Sequence, residues 1–282
     1  MCSTAPRIKH HFFDKKKMLA KRAQPGAASE PNKRLRSSSR IRHAQLVAGV
    51  TDASTGAAAT SLRLHSSSPF FVAWNGVLVL TFAGFPPSLA GVKARLNRDA
   101  AELGLRAEQF GSKWPKVTLA SLSDTAPPLT LTQLEQLREV CRAHAASTHT
   151  PPMCVPVHTL SVVQYARRSL EKPSRREDIR LHAADSDGSS MPDASEIQRV
   201  DGVVSEWANL EAYHPRVAAP GSRASSYRHA SSAGHTCVTF LNAGEDLTTA
   251  VRAFQRAVDS LLPGHYVWFD ESAWHCTLRA LD

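Results

Sequence analysis

Apolar residues follow the same order of patterns in the first and last ordered parts of the chain. The first part predicts a strand over 76–82, a helix with apolar residues three and four positions apart, and a strand over 113–122. The last part repeats this order, with a strand over 236–241, a helix, and a closing strand over 272–280. Two copies of one strand–helix–strand unit predict two lobes related by a pseudo-twofold axis, with their closing strands facing each other across a cleft.

The middle of the chain has a less regular pattern. Thr130 and Gln133 form a capping box that predicts the start of a helix, and a strand over 155–165 follows. From 169 to 235 the chain is polar and of low complexity, apart from a possible short helix over 196–212. Because a long structureless loop does not fit inside a compact core, this segment predicts a mostly disordered insertion.

The charge of the chain is concentrated at its N-terminus. Residues 1–69 hold 13 Lys and Arg side chains against three acidic ones, whereas the remaining 213 residues are close to neutral. The sequence therefore predicts a disordered basic tail over 1–69, followed by one domain over 70–282. The clusters Lys21-Arg22 and Lys33-Arg34-Leu35-Arg36 resemble a bipartite nuclear-localisation signal. The acid-poor composition also fits an organellar transit peptide, or a solvated basic tail without a targeting function.

Composition excludes several classes of protein. No apolar run approaches the roughly 20 residues that span a bilayer, so we expect no membrane partner. The five cysteines have no CxxC spacing, which argues against a disulfide framework or a zinc site and favours a reducing, intracellular compartment. The histidines at 144, 149 and 158 are irregularly spaced and have no carboxylate partners, so we expect no metal.

The closing strand offers candidate chemistry on one face. Alternation places His275, Thr277 and Arg279 together and turns Cys276 to the opposite, apolar face. An imidazole transfers protons, a hydroxyl donates to an oxyanion, and a guanidinium binds phosphate. An edge strand with a polar outer face is the alternative for this stretch taken alone.

Both closing strands carry the same short motif. It is a basic residue, an apolar residue, Thr and Leu, as Lys116-Val117-Thr118-Leu119 and His275-Cys276-Thr277-Leu278. This arrangement resembles the 2H phosphoesterases, the superfamily of bacterial 2′-5′ RNA ligase-like and cyclic nucleotide phosphodiesterase folds, in which each strand–helix–strand lobe closes on His-apolar-Thr/Ser-apolar. The resemblance covers about 76–168 and 236–282. The second motif matches in full, whereas the first has Lys116 in place of the family's histidine.

The resemblance implies a bilobal α+β fold with antiparallel sheets around a central groove. It also implies a phosphodiesterase that needs no metal or cofactor and acts on 2′,3′-cyclic or other phosphodiester ends of RNA or nucleotides, and we expect it to be a monomer. Under this resemblance His275 is a proton-transfer residue, and Thr118 and Thr277 bind the phosphate. Arg279 shares the face of His275 and is a candidate phosphate ligand on that ground; a surface salt bridge is the alternative.

Lys116 decides between two functions. An ordinary lysine pKa of about 10.4 does not suit acid–base catalysis near neutral pH unless burial lowers it by several units. A lysine with a lowered pKa would join His275 as a catalytic residue. A permanently charged lysine would still grip phosphate and stabilise developing negative charge. It would do so either in an enzyme whose sole acid–base residue is His275, with Lys116 and Arg279 supplying electrostatics, or in a catalytically degenerate phosphate- or RNA-binding module. A third alternative is an interaction protein that acts through its tail and insertion.

Overall fold

The computed structural model describes residues 30–109, 112–145, 153–183, 191–230 and 233–282. Its contacts divide the chain into residues 1–39 and a larger unit, Arg40–Asp282. The larger unit is described below. Lys21-Arg22 and His149 lie outside the described residues.

Helices and strands are spread over the whole of the described chain. The helices are α1 (Glu30–Ala53), α2 (Pro87–Arg98), α3 (Leu131–Ala145), α4 (Ala194–Val204), α5 (Leu210–Ala218), α6 (Ala224–Arg228) and α7 (Glu245–Leu261). The strands are β1 (Thr60–Arg63), β2 (Phe70–Ala73), β3 (Val77–Thr81), β4 (Lys116–Leu122), β5 (Cys154–Val157), β6 (Thr159–Tyr165), β7 (Arg175–Arg180), β8 (Gly234–Phe240), β9 (Tyr266–Trp268) and β10 (His275–Ala280). Among these residues, no helix has the length and apolarity needed to cross a membrane.

The fold is α+β, and its strands pair in antiparallel fashion. Eight of the described strands form one sheet in the order β2-β3-β4-β10-β8-β6-β7, with β9 added beside β4. Strands β1 and β5 form a separate antiparallel pair. Each strand pair in the large sheet is antiparallel, which confirms the predicted fold class at this level.

The predicted repeat appears as two units, β3-α2-β4 and β8-α7-β10. In each unit the opening and closing strands are hydrogen-bonded neighbours. The two closing strands, β4 and β10, also pair with each other. The sequence predicted that these strands would face each other across a cleft between two sheets, and they do not. Both units share one continuous sheet because the closing strands meet edge to edge.

One face of the central strands supplies the core. Val117 and Leu119 on β4 alternate with the half-buried Lys116 and Thr118, and β10 shows the same alternation over its first four residues. Helices α2 and α7 contribute apolar residues to the same cluster. The Phe254 ring of α7 stacks on Phe70 of β2, with ring centroids 4.2 Å apart. Lys116 and Thr118 of β4 and His275 and Thr277 of β10 are thus left on the other face.

The predicted boundary at residue 70 is wrong, because residues 40–69 belong to the folded unit. Leu46, Val50 and Ala53 are spaced at i, i+4 and i+7, and all three are buried on α1. Leu62 on β1 is also buried. This apolar stripe is short and is surrounded by Ser, Ala and Arg residues, so the composition of the segment did not reveal it.

The segment 169–235 is also more ordered than predicted. It contains β7 and helices α4 to α6, so the expected short helix is only one part of its structure. Tyr213 of α5 donates a hydrogen bond to the Val72 carbonyl at 3.0 Å. The Trp207 ring contacts the Phe71 ring edge-on, with ring centroids 4.6 Å apart. A few large apolar residues, widely spaced among polar ones, anchor this segment to the β2–β3 hairpin. Averaged over the segment, they do not register as a periodic pattern.

We expect Leu46→Ala to destabilise the full-length protein by roughly 2–5 kcal/mol, because it removes a fully buried side chain and leaves a cavity. Leu46 is 1% exposed, whereas Ile41 on the same helix is 58% exposed. Ile41→Ala is therefore the matched control, with an expected change of within about 0.5 kcal/mol. Urea denaturation measures both values. Equal stabilities for the two variants would contradict the packing of α1.

Candidate functional site

The four polar residues of the two motifs meet where β4 pairs with β10. Val117, the second residue of one motif, lies opposite Cys276, the second residue of the other. Since the strands are antiparallel, Lys116 then lies beside Thr277, and Thr118 beside His275. Directly opposite residues in such a pair have Cβ atoms roughly 4.5–5.5 Å apart, and diagonal neighbours lie roughly 7–8 Å apart, with a somewhat shorter distance between their Cβ atoms. Each basic residue is therefore next to a hydroxyl, and the two basic residues lie on a diagonal.

These four side chains line one cavity of about 190 Å³. Its walls come from elsewhere in the chain, including Ser112 and Trp114 before β4, Tyr165 and Arg168 at the end of β6, and Tyr227 on α6. The structure thus brings together Lys116, Thr118, His275 and Thr277, four of the five site residues predicted from the sequence. The hydroxyls and cations are suited to binding an anion.

The imidazole of His275 is held in one tautomer. Its Nδ1 lies 2.7 Å from the Ala273 carbonyl oxygen, which can only accept, so Nδ1 carries the proton. Nε2 is then the nitrogen that can accept a proton when the ring is neutral. Burial lowers the pKa of His275 below its ordinary 6.5, while the bond to Ala273 opposes this shift. The ring is therefore mostly neutral at pH 7, as a general base requires.

Lys116 has the lowered pKa that acid–base chemistry needs. Its pKa is lowered from 10.5 to about 8, mainly by burial; nearby Cys276 opposes the shift, and the positive charges of Lys93 and Arg168 contribute to it. Its ammonium lies 4.4 Å from the ring centroid of Trp114, in a cation–π contact. At neutral pH Lys116 is mostly charged, yet it loses its proton more readily than an ordinary lysine.

Arg168 supplies a second cation that was not among the predicted site residues. It lines the cavity, its guanidinium lies 4.8 Å from the Tyr227 ring centroid, and its Nη1 donates to the Ser222 hydroxyl at 3.5 Å. In the sequence it appears only as part of the Arg167-Arg168 pair that follows β6. Such a pair is more typical of a solvated strand end. Its contacts with the insertion, absent from any local pattern, place it in the cavity.

Arg279 does not face the cavity, so its predicted role as a phosphate ligand is wrong. Its guanidinium is buried on the other side of the sheet, where it donates to the Asn97 side chain at 2.7 Å and the Arg106 carbonyl at 2.5 Å. The pairing of β10 with β8 shifts register between Thr277 and Arg279. This β-bulge reverses the alternation, so that Ala280 lines the cavity instead.

Besides Arg279, a second buried cation stabilises the β-bulge from the core side of the sheet. Lys93 of α2 donates to the Leu278 carbonyl at 2.9 Å and to the Ser112 carbonyl, and it forms an ion pair with Glu108. Burial lowers the pKa of Lys93, and Glu108 opposes this change. The bulged carbonyl, which has lost its regular ladder partner, is thereby satisfied. Lys93 and Arg279 together fix the geometry of the strand that carries His275 and Thr277.

Cys276 lies on the buried face, as the alternation predicted. It is fully buried, and burial raises the pKa of its thiol to about 12, which excludes a thiolate nucleophile at neutral pH.

In the part of the chain that the structure describes, no three His, Cys, Asp or Glu side chains are grouped as metal ligands. Searches against protein-family models, curated proteins and solved structures find no match for this chain.

We expect Arg279→Met to destabilise the protein by roughly 3 kcal/mol, because buried carbonyl and amide oxygens lose a charged donor. Arg168→Met is the matched control. Its side chain is exposed, and the loss of its cation–π contact costs only about 0.5–1 kcal/mol. Chemical denaturation of the two variants measures the difference. If both lost the same stability, the assignment of Arg279 to a structural position would be incorrect.

Proposed function

We propose that this chain is a phosphodiesterase related to the 2H phosphoesterases, acting on 2′,3′-cyclic or other phosphodiester ends of RNA or nucleotides without a metal. One observation carries the proposal. Lys116 and His275 line a single cavity together with Thr118 and Thr277, and the pKa of Lys116 is lowered to about 8. A proton acceptor and a proton donor, both functional near neutral pH, thus flank a site for an anion.

The roles follow from the positions of the four side chains. Thr118 and Thr277 donate hydrogen bonds to the non-bridging phosphate oxygens, and the guanidinium of Arg168 balances the negative charge of those oxygens. Nε2 of His275 takes a proton from water as the water oxygen forms its bond to phosphorus. The bond from phosphorus to the leaving ribose oxygen breaks, and that oxygen receives a proton from the Lys116 ammonium. Because Lys116 and His275 lie on a diagonal of the strand pair with a hydroxyl beside each, a phosphate bound by the two threonines would lie between base and acid.

The repeat supports the finer assignment of the fold. We propose that the units β3-α2-β4 and β8-α7-β10, arranged symmetrically about the Val117–Cys276 pair, correspond to the two lobes of a 2H phosphoesterase, joined here in one sheet. Within this proposal the cavity above β4 and β10 is the central groove. We propose that the protein acts as a monomer, and that the basic residues before the domain add salt-dependent affinity for RNA.

The rival function is a phosphate- or RNA-binding module without turnover. The cation–π contacts of Lys116 and Arg168 favour it, since both hold cations in fixed positions around the cavity. This module would bind the same ligands. Only a measurement of chemistry separates the two functions.

We expect His275→Ala to lower kcat/KM for hydrolysis of a 2′,3′-cyclic nucleotide by roughly 10²–10⁴-fold, because the general base is lost. The assay uses the full-length protein with a metal chelator present. His158→Ala, which removes an exposed histidine on another part of the surface, is the control and should retain wild-type activity. If the wild-type protein bound phosphate but formed no product, the rival binding function would be established instead.

The pH dependence tests the role of Lys116. Activity needs neutral His275 and protonated Lys116, so kcat/KM should rise through a pKa below 6.5 and fall through a pKa of about 8. Lys116→Arg replaces the acid with a group whose pKa lies above about 12. This variant should be slower and should lose the fall at alkaline pH while keeping the rise at acid pH. An unchanged alkaline limb would show that Lys116 is not the proton donor.

A further inference from the structure

A second cavity lies beside the one that holds the motif residues. Its volume is about 250 Å³. The two cavities share five lining residues, which are Trp114, Lys116, Thr118, Arg168 and Tyr227. The two cavities therefore adjoin at these side chains, next to the site proposed for the phosphate.

The second cavity is lined mainly by aromatic and aliphatic side chains. The hairpin of β2 and β3 provides Phe71, Trp74, Val77 and Val79, and Tyr213 comes from α5. Tyr213 and Tyr227 belong to the segment 169–235, which lies outside the resemblance to the 2H phosphoesterases. This wall is thus specific to the present chain and does not follow from the motifs.

Trp74 is the most accessible aromatic residue of this wall, and it is fixed in place. Its side chain lies in the turn Trp74–Gly76 between β2 and β3, where Asn75 and Gly76 have φ values of 60° and 72°. Its indole Nε1 donates to Glu206 at 3.1 Å, and Glu206 also accepts from Arg216 at 2.8 Å. Trp74 nevertheless remains 39% exposed.

The turn that carries Trp74 is itself held by the insertion. The Asn75 side chain donates to the Ala219 carbonyl at 3.2 Å, and a Cβ added at Gly221 would lie 2.4 Å from that side chain. Asparagine and glycine are the residues that best tolerate the left-handed backbone of this turn. The cation beside Trp74 is Arg216, whose guanidinium lies 5.2 Å from the indole ring centroid. A rigid indole at the edge of an apolar cavity that Lys116 and Arg168 also line is typical of a stacking platform for a base.

We infer that the second cavity binds the nucleobase of the nucleotide whose phosphate lies between Lys116 and His275, with Trp74 as part of its wall. This inference rests on the proposed function, since the phosphate must occupy the first cavity. Apolar and aromatic walls favour stacking over reading of base edges. The site therefore tolerates different bases but discriminates against phosphate esters that have none.

Calorimetric titration of the full-length protein with three ligands tests the inference. The ligands are adenosine 3′-monophosphate, glycerol 2-phosphate, which carries no base, and inorganic phosphate. We expect the nucleotide to bind wild-type protein about 10- to 100-fold more tightly than glycerol 2-phosphate, as stacking of one base provides. Trp74→Ala should remove most of this advantage and leave the affinity for glycerol 2-phosphate and inorganic phosphate unchanged.

Two variants control for indirect effects. Trp74→Phe keeps an aromatic face and should retain most of the preference for the nucleotide. Met191→Ala removes another exposed large side chain, 50% exposed and lining neither cavity, and should behave as wild type. Thermal unfolding checks that each variant is folded.

Each outcome is decisive. Equal affinity of wild-type protein for nucleotide and glycerol 2-phosphate would overturn the base site and leave the phosphate site standing. An equal loss for both ligands in Trp74→Ala would also overturn it, because the effect would not depend on the base. If neither phosphate ester nor inorganic phosphate bound wild-type protein, the proposed function would fail, and the base site with it.

Discussion

The pairing of β4 with β10 is the constraint on which the candidate site depends. With Val117 opposite Cys276, both motifs direct their basic and hydroxyl residues to one face and their apolar residues to the core. Because side chains alternate along a strand, a slip of one residue in either strand would bury Lys116 or His275 among apolar side chains and expose the core positions. The free energy gained by burying the apolar face therefore also enforces the register that assembles the site.

The opposite side of the sheet affects the pKa of Lys116 as well as the stability of the fold. Lys93 and Arg279 are buried cations that satisfy carbonyl groups around the β-bulge, and such groups are costly to bury unless they are well bonded. The charge of Lys93 also helps to lower the pKa of Lys116, after the larger effect of burial. A cation that holds the strand in place thus also makes the proposed acid more acidic. Replacing Lys93 would disturb both properties together.

Local patterns predicted the elements of the repeat well, because their apolar periodicity is strong. The capping box of α3 formed as expected, with mutual hydrogen bonds between Thr130 and Gln133 at 2.9 and 3.2 Å. The role of Arg279 could not be predicted in this way, since a bulge depends on the partner strand and leaves no mark in the alternation. The packing of α1 and of the insertion depends on a few large residues within polar stretches. Their contacts are distant in sequence, so composition alone indicated disorder.

The two parts of the chain that composition treated so differently meet at one site. In the proposed enzyme, the repeat supplies proton transfer and phosphate contacts from central strands whose geometry the core determines. The insertion supplies Tyr213 and Tyr227, and it fixes Trp74 and Asn75 through Glu206 and the Ala219 carbonyl. Changes in the insertion can therefore alter which ligand fits without moving His275 or Lys116. In the proposed enzyme, the chemistry resides in the repeat, and the choice of substrate resides in the segment that interrupts it.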